Sequence, residues 1–281
     1  MKKLIALVLA LVMLLALTAC GKARPPIFGE TEPATEMTTF IPYTEPTETE
    51  APTETEAPTE PLPDYSAAYV TDAASETMEF DGFKMEYYIP MIVFDGEGID
   101  YLNEMLYQQL YKDVYQKEVV DALDEYGMPG VCYIVYQWER YENYLSIVVT
   151  VTPYASEGAT FSIYNVDLSN GQLASQSELL NCFGYTVEEF SERAKDVMGT
   201  VLLDQYESFL EDPSMKLELD DLLRRTTSEE YVSDASAFIG ADGQLWMVAP
   251  IASYAGADRF MQVINFADYP ISEAYLNYGF G

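Results

Sequence analysis

Residues 47–61 set the limit on what this chain can fold into. Thr47-Glu48-Thr49-Glu50-Ala51-Pro52 repeats without change as Thr53-Glu54-Thr55-Glu56-Ala57-Pro58, and Thr59-Glu60-Pro61 opens a third copy. The whole stretch 21–63 is dominated by Pro, Thr and Glu, and Ile27, Phe28, Phe40 and Ile41 are among its few apolar interruptions. Such a segment buries too little apolar surface to offset the entropy of ordering it. Regular prolines favour an extended chain and the glutamates repel one another, so at ~3.1 Å per residue the stretch reaches about 130 Å. Residues 21–63 are therefore expected to be a disordered tether, and the fold is confined to 64–281. The threonines also make O-glycosylation an option.

The residues before the tether explain what it is attached to. Lys2 and Lys3 form a basic start, and 4–17 is apolar throughout but short for a permanent membrane span. Leu17-Thr18-Ala19-Cys20 closes the run. Residues 1–20 resemble a bacterial lipoprotein signal, whose cleavage motif reads Leu-small-small-Cys. The resemblance implies that Cys20 is diacylated on sulfur and becomes the new N-terminus. Two acyl chains give stable anchoring where one alone is marginal. The alternatives are an ordinary signal peptide or a short membrane anchor. The expected location is the extracytoplasmic face of a cell membrane.

Charge narrows the partners. The formal net charge is -33, and from Asp64 onward 38 acidic residues face 10 basic ones. A surface of that sign repels nucleic acid and anionic lipid or polymer, and attracts cations and basic proteins. Solubility alone is the plainer role for it. The chain has no histidine. That removes Ser-His and Cys-His nucleophile pairs and every histidine-containing zinc site. General acid–base work would fall to carboxylates, Tyr or Lys. No cofactor, metal site or catalytic residue is indicated. Cys132 and Cys182 remain as an even pair in an exported domain, either bridged as a disulfide or kept as two buried thiols.

Along the folded part, 77–80 and 83–92 read as strands joined at Asp81-Gly82, with Pro90 marking an edge or a bulge. Asp95-Gly96-Glu97-Gly98 resembles a calcium loop only superficially, because Asp100 and Leu106 stand where an EF-hand requires glycine and glutamate. A long helix is expected over 98–126, with Ile99, Leu102, Leu106, Leu110 and Val114 inward. Tyr107, Tyr111 and Tyr115 form an adjacent stripe. It is either an aromatic ligand platform or, as preferred, a wide core face with hydroxyls at its edge.

Strands at 131–141, 144–154 and 160–168 read as an antiparallel meander. The first is central, and one face of the second, carrying Tyr144, Ser146, Val148, Thr150 and Tyr154, is half-exposed. Asn170-Gly171 predicts a type I′ hairpin. Ser175-Gln176-Ser177-Glu178 and Thr186-Val187-Glu188-Glu189 are capping boxes, opening a short helix to 180 and a long one over 187–210. Phe190, Ala194, Val197, Val201 and Leu202 are inward on the long helix, and its Glu188, Glu189 and Glu192 suit the positive end of the dipole. A further helix is expected over 213–225, where Glu218, Asp220 and Asp221 match no defined calcium loop. Strands at 237–240, 245–251 and 259–266 complete the pattern. The fold class is α+β, with antiparallel sheets and packed helices after a disordered linker. Its N-terminal part spans 64–155 and its C-terminal part 156–281.

The order of these features carries a family resemblance. Tyr164-Asn165-Val166-Asp167-Leu168-Ser169-Asn170-Gly171-Gln172-Leu173 resembles the "fDlktGk-like" segment of a domain of unknown function, and Ser177-Glu178-Leu179-Leu180 resembles the Leu-rich turn after it. Phe238-Ile239-Gly240-Ala241-Asp242-Gly243-Gln244-Leu245-Trp246-Met247-Val248 is similar to its second hairpin. Ile251-Ala252-Ser253-Tyr254-Ala255-Gly256 is similar to its "eiApYaaG" signature, with Ser253 in place of the proline and Pro250 or Ile251 in place of the acid. Residues 88–115 are similar to the region that usually precedes it. That pair of regions occurs in the extracytoplasmic half of lysozyme-sensing anti-sigma factors (RsiV-like) and beside peptidoglycan deacetylases (PdaC-like).

The resemblance spans about 77–266 and implies an α+β fold in a cell-envelope setting. No cytoplasmic anti-sigma segment precedes the signal, and a deacetylase domain would need metal-binding histidines. Neither activity is therefore expected to transfer whole, and no functional residue is carried over. The expectation is a non-enzymatic, surface-anchored lipoprotein of a Gram-positive bacterium. It would bind peptidoglycan or another envelope component, or a basic secreted protein such as lysozyme. The loop 252–259, with Tyr254 and Arg259, is the candidate contact surface. The rival classes are a carboxylate-dependent enzyme acting on envelope glycan and an accessory structural lipoprotein.

Overall fold

One strand buried on both faces defines the architecture. In the computed structural model, which describes residues 64–154, 158–254 and 258–279, Leu145, Ile147 and Val149 are buried on one face of β4 (Tyr144–Pro153). Ser146 and Val148 are buried on the other. A strand buried on both faces lies between two layers. One layer is a helical rod, α1, made of the successive segments Ile99–Leu106, Tyr107–Asp121 and Ala122–Tyr126. The other is a second β-sheet.

The first sheet runs in the order β1 (Tyr69–Phe80), β2 (Phe83–Val93), β3 (Val131–Tyr141), β4, β5 (Thr160–Asp167), β6 (Gln172–Leu173). All neighbours are antiparallel except β2 and β3, which pair in parallel at Glu86↔Tyr133 and Tyr87↔Ile134, with α1 as their crossover. After a short helix α2 (Gln176–Cys182), α3 (Val187–Gln205) and α4 (Glu207–Leu210) lead to α5 (Lys216–Thr226) and α6 (Glu229–Ser233). The second sheet is then β7 (Ser236–Ile239), β8 (Leu245–Ala252) and β9 (Arg259–Ile264), followed by α7 (Glu273–Leu276).

Four layers result. Leu102, Leu106 and Leu110 of α1 pack on Ile134, Ile147 and Val149 of the first sheet. Val148, Phe238 and Val248 join the two sheets. Met247, Ala249 and Ile251 face Phe190, Val197, Leu202 and Leu222 of α3 and α5. The α+β class expected from the sequence is the class observed.

Side chains join the sheets where a backbone ladder cannot. β7 is an edge strand, and its outer backbone groups are buried against β4 and β5. Ser146 Oγ accepts from the Ile239 N–H at 2.9 Å and donates to Asn165 Oδ1 at 2.6 Å. Asn165 Nδ2 donates to the Ala237 carbonyl at 2.9 Å, and Gln176 Oε1 accepts from the Ala237 N–H at 3.2 Å. These bonds satisfy polar groups that burial would otherwise leave unpaired. Of the β4 face expected to be half-exposed, the second sheet buries Ser146 and Val148, while Tyr144, Thr150 and Tyr154 are half-buried.

Other expectations are corrected in detail. β1 begins at Tyr69 rather than 77, because an edge strand with one solvated face tolerates the polar run Thr71 to Thr77. Pro90 lies opposite a bulge between Asp72 and Ala74. Where β2 leaves β3, the Asn103 side chain takes over the ladder, accepting from the Ile92 N–H and donating to its carbonyl.

The middle of α1 is a π-helix, with the Ala122 N–H reaching the carbonyl five residues back at Lys117. The buried face runs Leu106, Leu110, Tyr115, Val119, so Tyr115 replaces Val114 in the core. Separations of four, five and four residues fall on one line only if the turn is wider than the 3.6 residues of an α-helix. Asn170-Gly171 closes a longer loop in which Gly171 alone adopts positive φ, at 62°. α3 ends at Gln205 and α5 begins after a 3-10 turn at Pro213–Met215. Both capping boxes form as read. The first sheet extends through Leu173.

Candidate functional site

The β8–β9 loop is held from below by two helices. Thr226 Oγ1, at the end of α5, accepts from the Ala252 N–H at 3.0 Å. Arg225 reaches Asp258 Oδ1 at 2.8 Å and the Ser253 carbonyl at 3.5 Å. Tyr231 of α6 donates to Asp258 Oδ2 at 3.2 Å. The Ser253 N–H bonds the Asp258 carbonyl across the loop at 3.1 Å. Residues 255–257, which include part of the signature segment, lie outside the described residues.

The two residues singled out on this loop take different roles. Tyr254 is 52% exposed. Its N–H donates to Tyr206 Oη at 3.0 Å and its ring meets Phe209 edge-on at 5.2 Å, so the side chain is presented from a rigid base. Arg259 is committed to the fold. Its Nη1 donates to Asp234 Oδ2 at 2.6 Å and its guanidinium covers the Tyr231 ring at 5.4 Å. The hydrogen bond to Asp234 raises the arginine's affinity for its proton. Arg259 is a brace for the loop, as Asp258 is through Arg225 and Tyr231, leaving Tyr254 as its outward group.

A second feature lies on the α1 side of the first sheet. A cavity of about 100 Å³ opens between β1, β2 and the π-helical part of α1. Ile89, Tyr87 and Tyr115 line its depth, and Ser75, Glu76 and Tyr111 its mouth. Tyr87 and Tyr115 have ring centroids 5.1 Å apart at 60°, and Tyr111 and Tyr115 5.3 Å apart at 33°. Tyr115 donates its hydroxyl to Glu76 Oε2, and Tyr87 donates to the Val131 carbonyl at 3.0 Å. Burial pushes the Tyr87 phenol up to about 12. Burial, then the Glu76 carboxylate, push Tyr115 up as well. The tyrosine stripe was legible in the sequence; Glu76 and Tyr87 were not, because only the strand pairing and the helix packing bring them to it.

The cysteines do not pair. The Cys132 thiol donates to the Thr152 carbonyl at 3.3 Å, and Cys182 donates to Glu142 Oε2 at 3.6 Å. Cys132 stands near the start of β3 and Glu142 just past its end. At ~3.3 Å per residue that places the two thiols roughly 30 Å apart, far beyond the ~7 Å between Cα atoms that a disulfide spans. Burial pushes both thiols up, Cys182 to about 11 with help from Glu142, so both stay protonated at neutral pH.

Of the carboxylates at 218–221, Asp220 is buried and accepts from Tyr278 at 2.7 Å, Asp221 meets Arg224 and Arg225 at the surface, and Glu218 is exposed. Among the described residues no group of His, Cys, Asp and Glu is arranged to hold a metal ion, and no helix is long and apolar enough to cross a membrane. Cys20, the apolar run and the tether 21–63 lie outside the described residues. No family model matches this chain, and no curated protein matches it significantly.

Proposed function

We propose that this chain is a lipid-anchored, extracytoplasmic binding module of the bacterial cell envelope that captures a basic secreted protein, with lysozyme as the type of partner. The observation that carries the reading is where the charge sits. Of the acidic side chains among the described residues only Asp220 is buried. Six of the ten cations from Lys84 onward are paired with the chain's own carboxylates. The remaining acidic excess faces solvent, where it steers a partner of opposite sign to the surface. The braced β8–β9 loop adds a half-exposed aromatic, the kind of residue that anchors an interface centre. The sequence of the first 63 residues supplies the anchor and the reach.

The test is calorimetric titration of the full chain with a c-type lysozyme at low and high salt, beside an unrelated protein of equal basic charge. At ~1 M salt charges are screened beyond about 3 Å. Binding that persists there and is absent for the control supports the reading. Binding that disappears with salt, or equals the control, refutes it in favour of simple charge attraction. Tyr254→Ala is expected to weaken lysozyme binding with unchanged circular dichroism; unchanged binding removes the loop from the interface.

A further inference from the structure

The tyrosine-lined cavity between β1, β2 and α1 has a composition that selects one kind of ligand. Three phenol rings line a volume of about 100 Å³, with a carboxylate at the mouth. Aromatic faces carry negative potential, and a cation within about 6 Å of a ring centroid is attracted to it. The chain's own Lys112 shows this on the same stripe, its ammonium lying 5.9 and 5.2 Å from the centroids of Tyr107 and Tyr111. Glu76 Oε2 accepts from Tyr115, and Oε1 takes no hydrogen bond from the described residues.

We propose that this cavity is a binding site for a substituted ammonium group, either a methylated headgroup or the amine end of a lysine side chain. The volume accommodates an ammonium carrying a few carbon atoms. An anion is disfavoured by Glu76 at the entrance. A hard metal ion requires about six to eight oxygen ligands, whereas this site offers one carboxylate and phenols that remain neutral. The walls are also held in place without a ligand. Tyr87 is tied to Val131, Tyr115 to Glu76, and Tyr111 lies against both Tyr107 and Tyr115. A preformed aromatic corner lowers the cost of ordering on binding. The surrounding acidic surface raises the local concentration of any small cation.

The experiment is a proton NMR titration of the full chain with tetramethylammonium and, separately, n-butylammonium, with tert-butanol as the neutral control of similar shape. A group enclosed by ring faces is shielded, so an upfield, saturable shift of the ligand protons is expected for the ammonium ions and not for tert-butanol. Glu76→Gln is expected to weaken binding at least tenfold. Tyr111→Leu is expected to reduce the upfield shift, since Tyr87 and Tyr115 remain. Both positions are at the cavity mouth, and the Glu76 variant alone decides the matter if the Tyr111 variant fails to fold. Tighter binding of tetramethylammonium assigns the site to a methylated headgroup, and tighter binding of n-butylammonium to a lysine side chain. Saturation by tert-butanol with equal affinity overturns the proposal. So does an affinity unchanged by Glu76→Gln, or the lack of any saturable shift. The outcome is independent of lysozyme capture, since these shifts are read without a protein partner.

Discussion

Alanine at Gly171 tests how the β5–β6 loop meets the start of α1. Gly171 has φ 62°, and a Cβ there would stand 1.7 Å from the Glu97 carbonyl oxygen and 2.8 Å from its carbon. Gly98 faces it with φ 83°, and its own Cβ would stand 2.6 Å from the Gly171 oxygen. Both obstacles are backbone, so relief requires moving either the β5–β6 loop or the turn that starts α1. Gly243 is the control, with φ 72° and nothing within 4 Å of a Cβ. Placing alanine in the left-handed region costs about 1–2 kcal/mol at either position. Gly171→Ala adds the clash, for which overpacking of this severity typically costs about 2 kcal/mol or more. The expected losses are therefore about 1–2 kcal/mol for Gly243→Ala and about 3–4 kcal/mol for Gly171→Ala. Urea unfolding followed by circular dichroism measures both. With a slope of about 2 kcal/mol/M, a difference of 2 kcal/mol separates the midpoints by about 1 M. Midpoints that coincide would mean that the hairpin does not rest on the start of α1, and the steric argument would fail.

Three other outcomes follow from particular contacts. Ser146→Ala leaves the buried Ile239 N–H without its acceptor and is expected to cost about 2 kcal/mol, within the range for an unsatisfied buried group; a loss below about 0.5 kcal/mol in urea would show that the sheets do not depend on this bond. Burial works against the Asp167 carboxylate, but hydrogen bonds from Ser169 and Asn143 hold it below the ordinary carboxylate range. Its stabilisation is present above about pH 4 and lost as pH falls through the depressed value, so the deficit of Asp167→Asn at pH 7 should close in acid, and a deficit constant with pH would contradict it. Burial first, then nearby carboxylates, push Tyr269 and Tyr275 up to about 12, as burial does for Tyr87. Their neutral forms stabilise the fold below about pH 10, and that contribution is lost as pH rises towards 12. Absorbance titration at high pH should then show a late group of tyrosines ionising together with unfolding; a single transition near pH 10 for all of them would refute the burial assigned here.

What was legible in the sequence is what neighbours along the chain decide among themselves. Thr186 and Glu189 cap a helix because the donors they satisfy lie within one turn. The alternation of Leu145, Ile147 and Val149 marks a strand because successive side chains point to opposite faces. Asp81-Gly82 turns because positive φ is available there, at 50° and 78°. The absence of histidine, the acidic excess and the repeat at 47–61 are likewise properties of composition, and no fold alters them. Only the tertiary structure decided the rest. Ser146 looked like the solvated face of a strand until Ile239, 93 residues away, was placed against it. Tyr115 displaced Val114 from the core because the helix widened to keep one face on the sheet. Arg259 became a brace through Asp234 and Tyr231, and the two cysteines were separated by the length of β3. Glu76 met the tyrosine stripe through a contact spanning 39 residues. Local signals report hydrogen bonds closed within a few residues, whereas these contacts depend on how layers stack, which no short window of sequence contains.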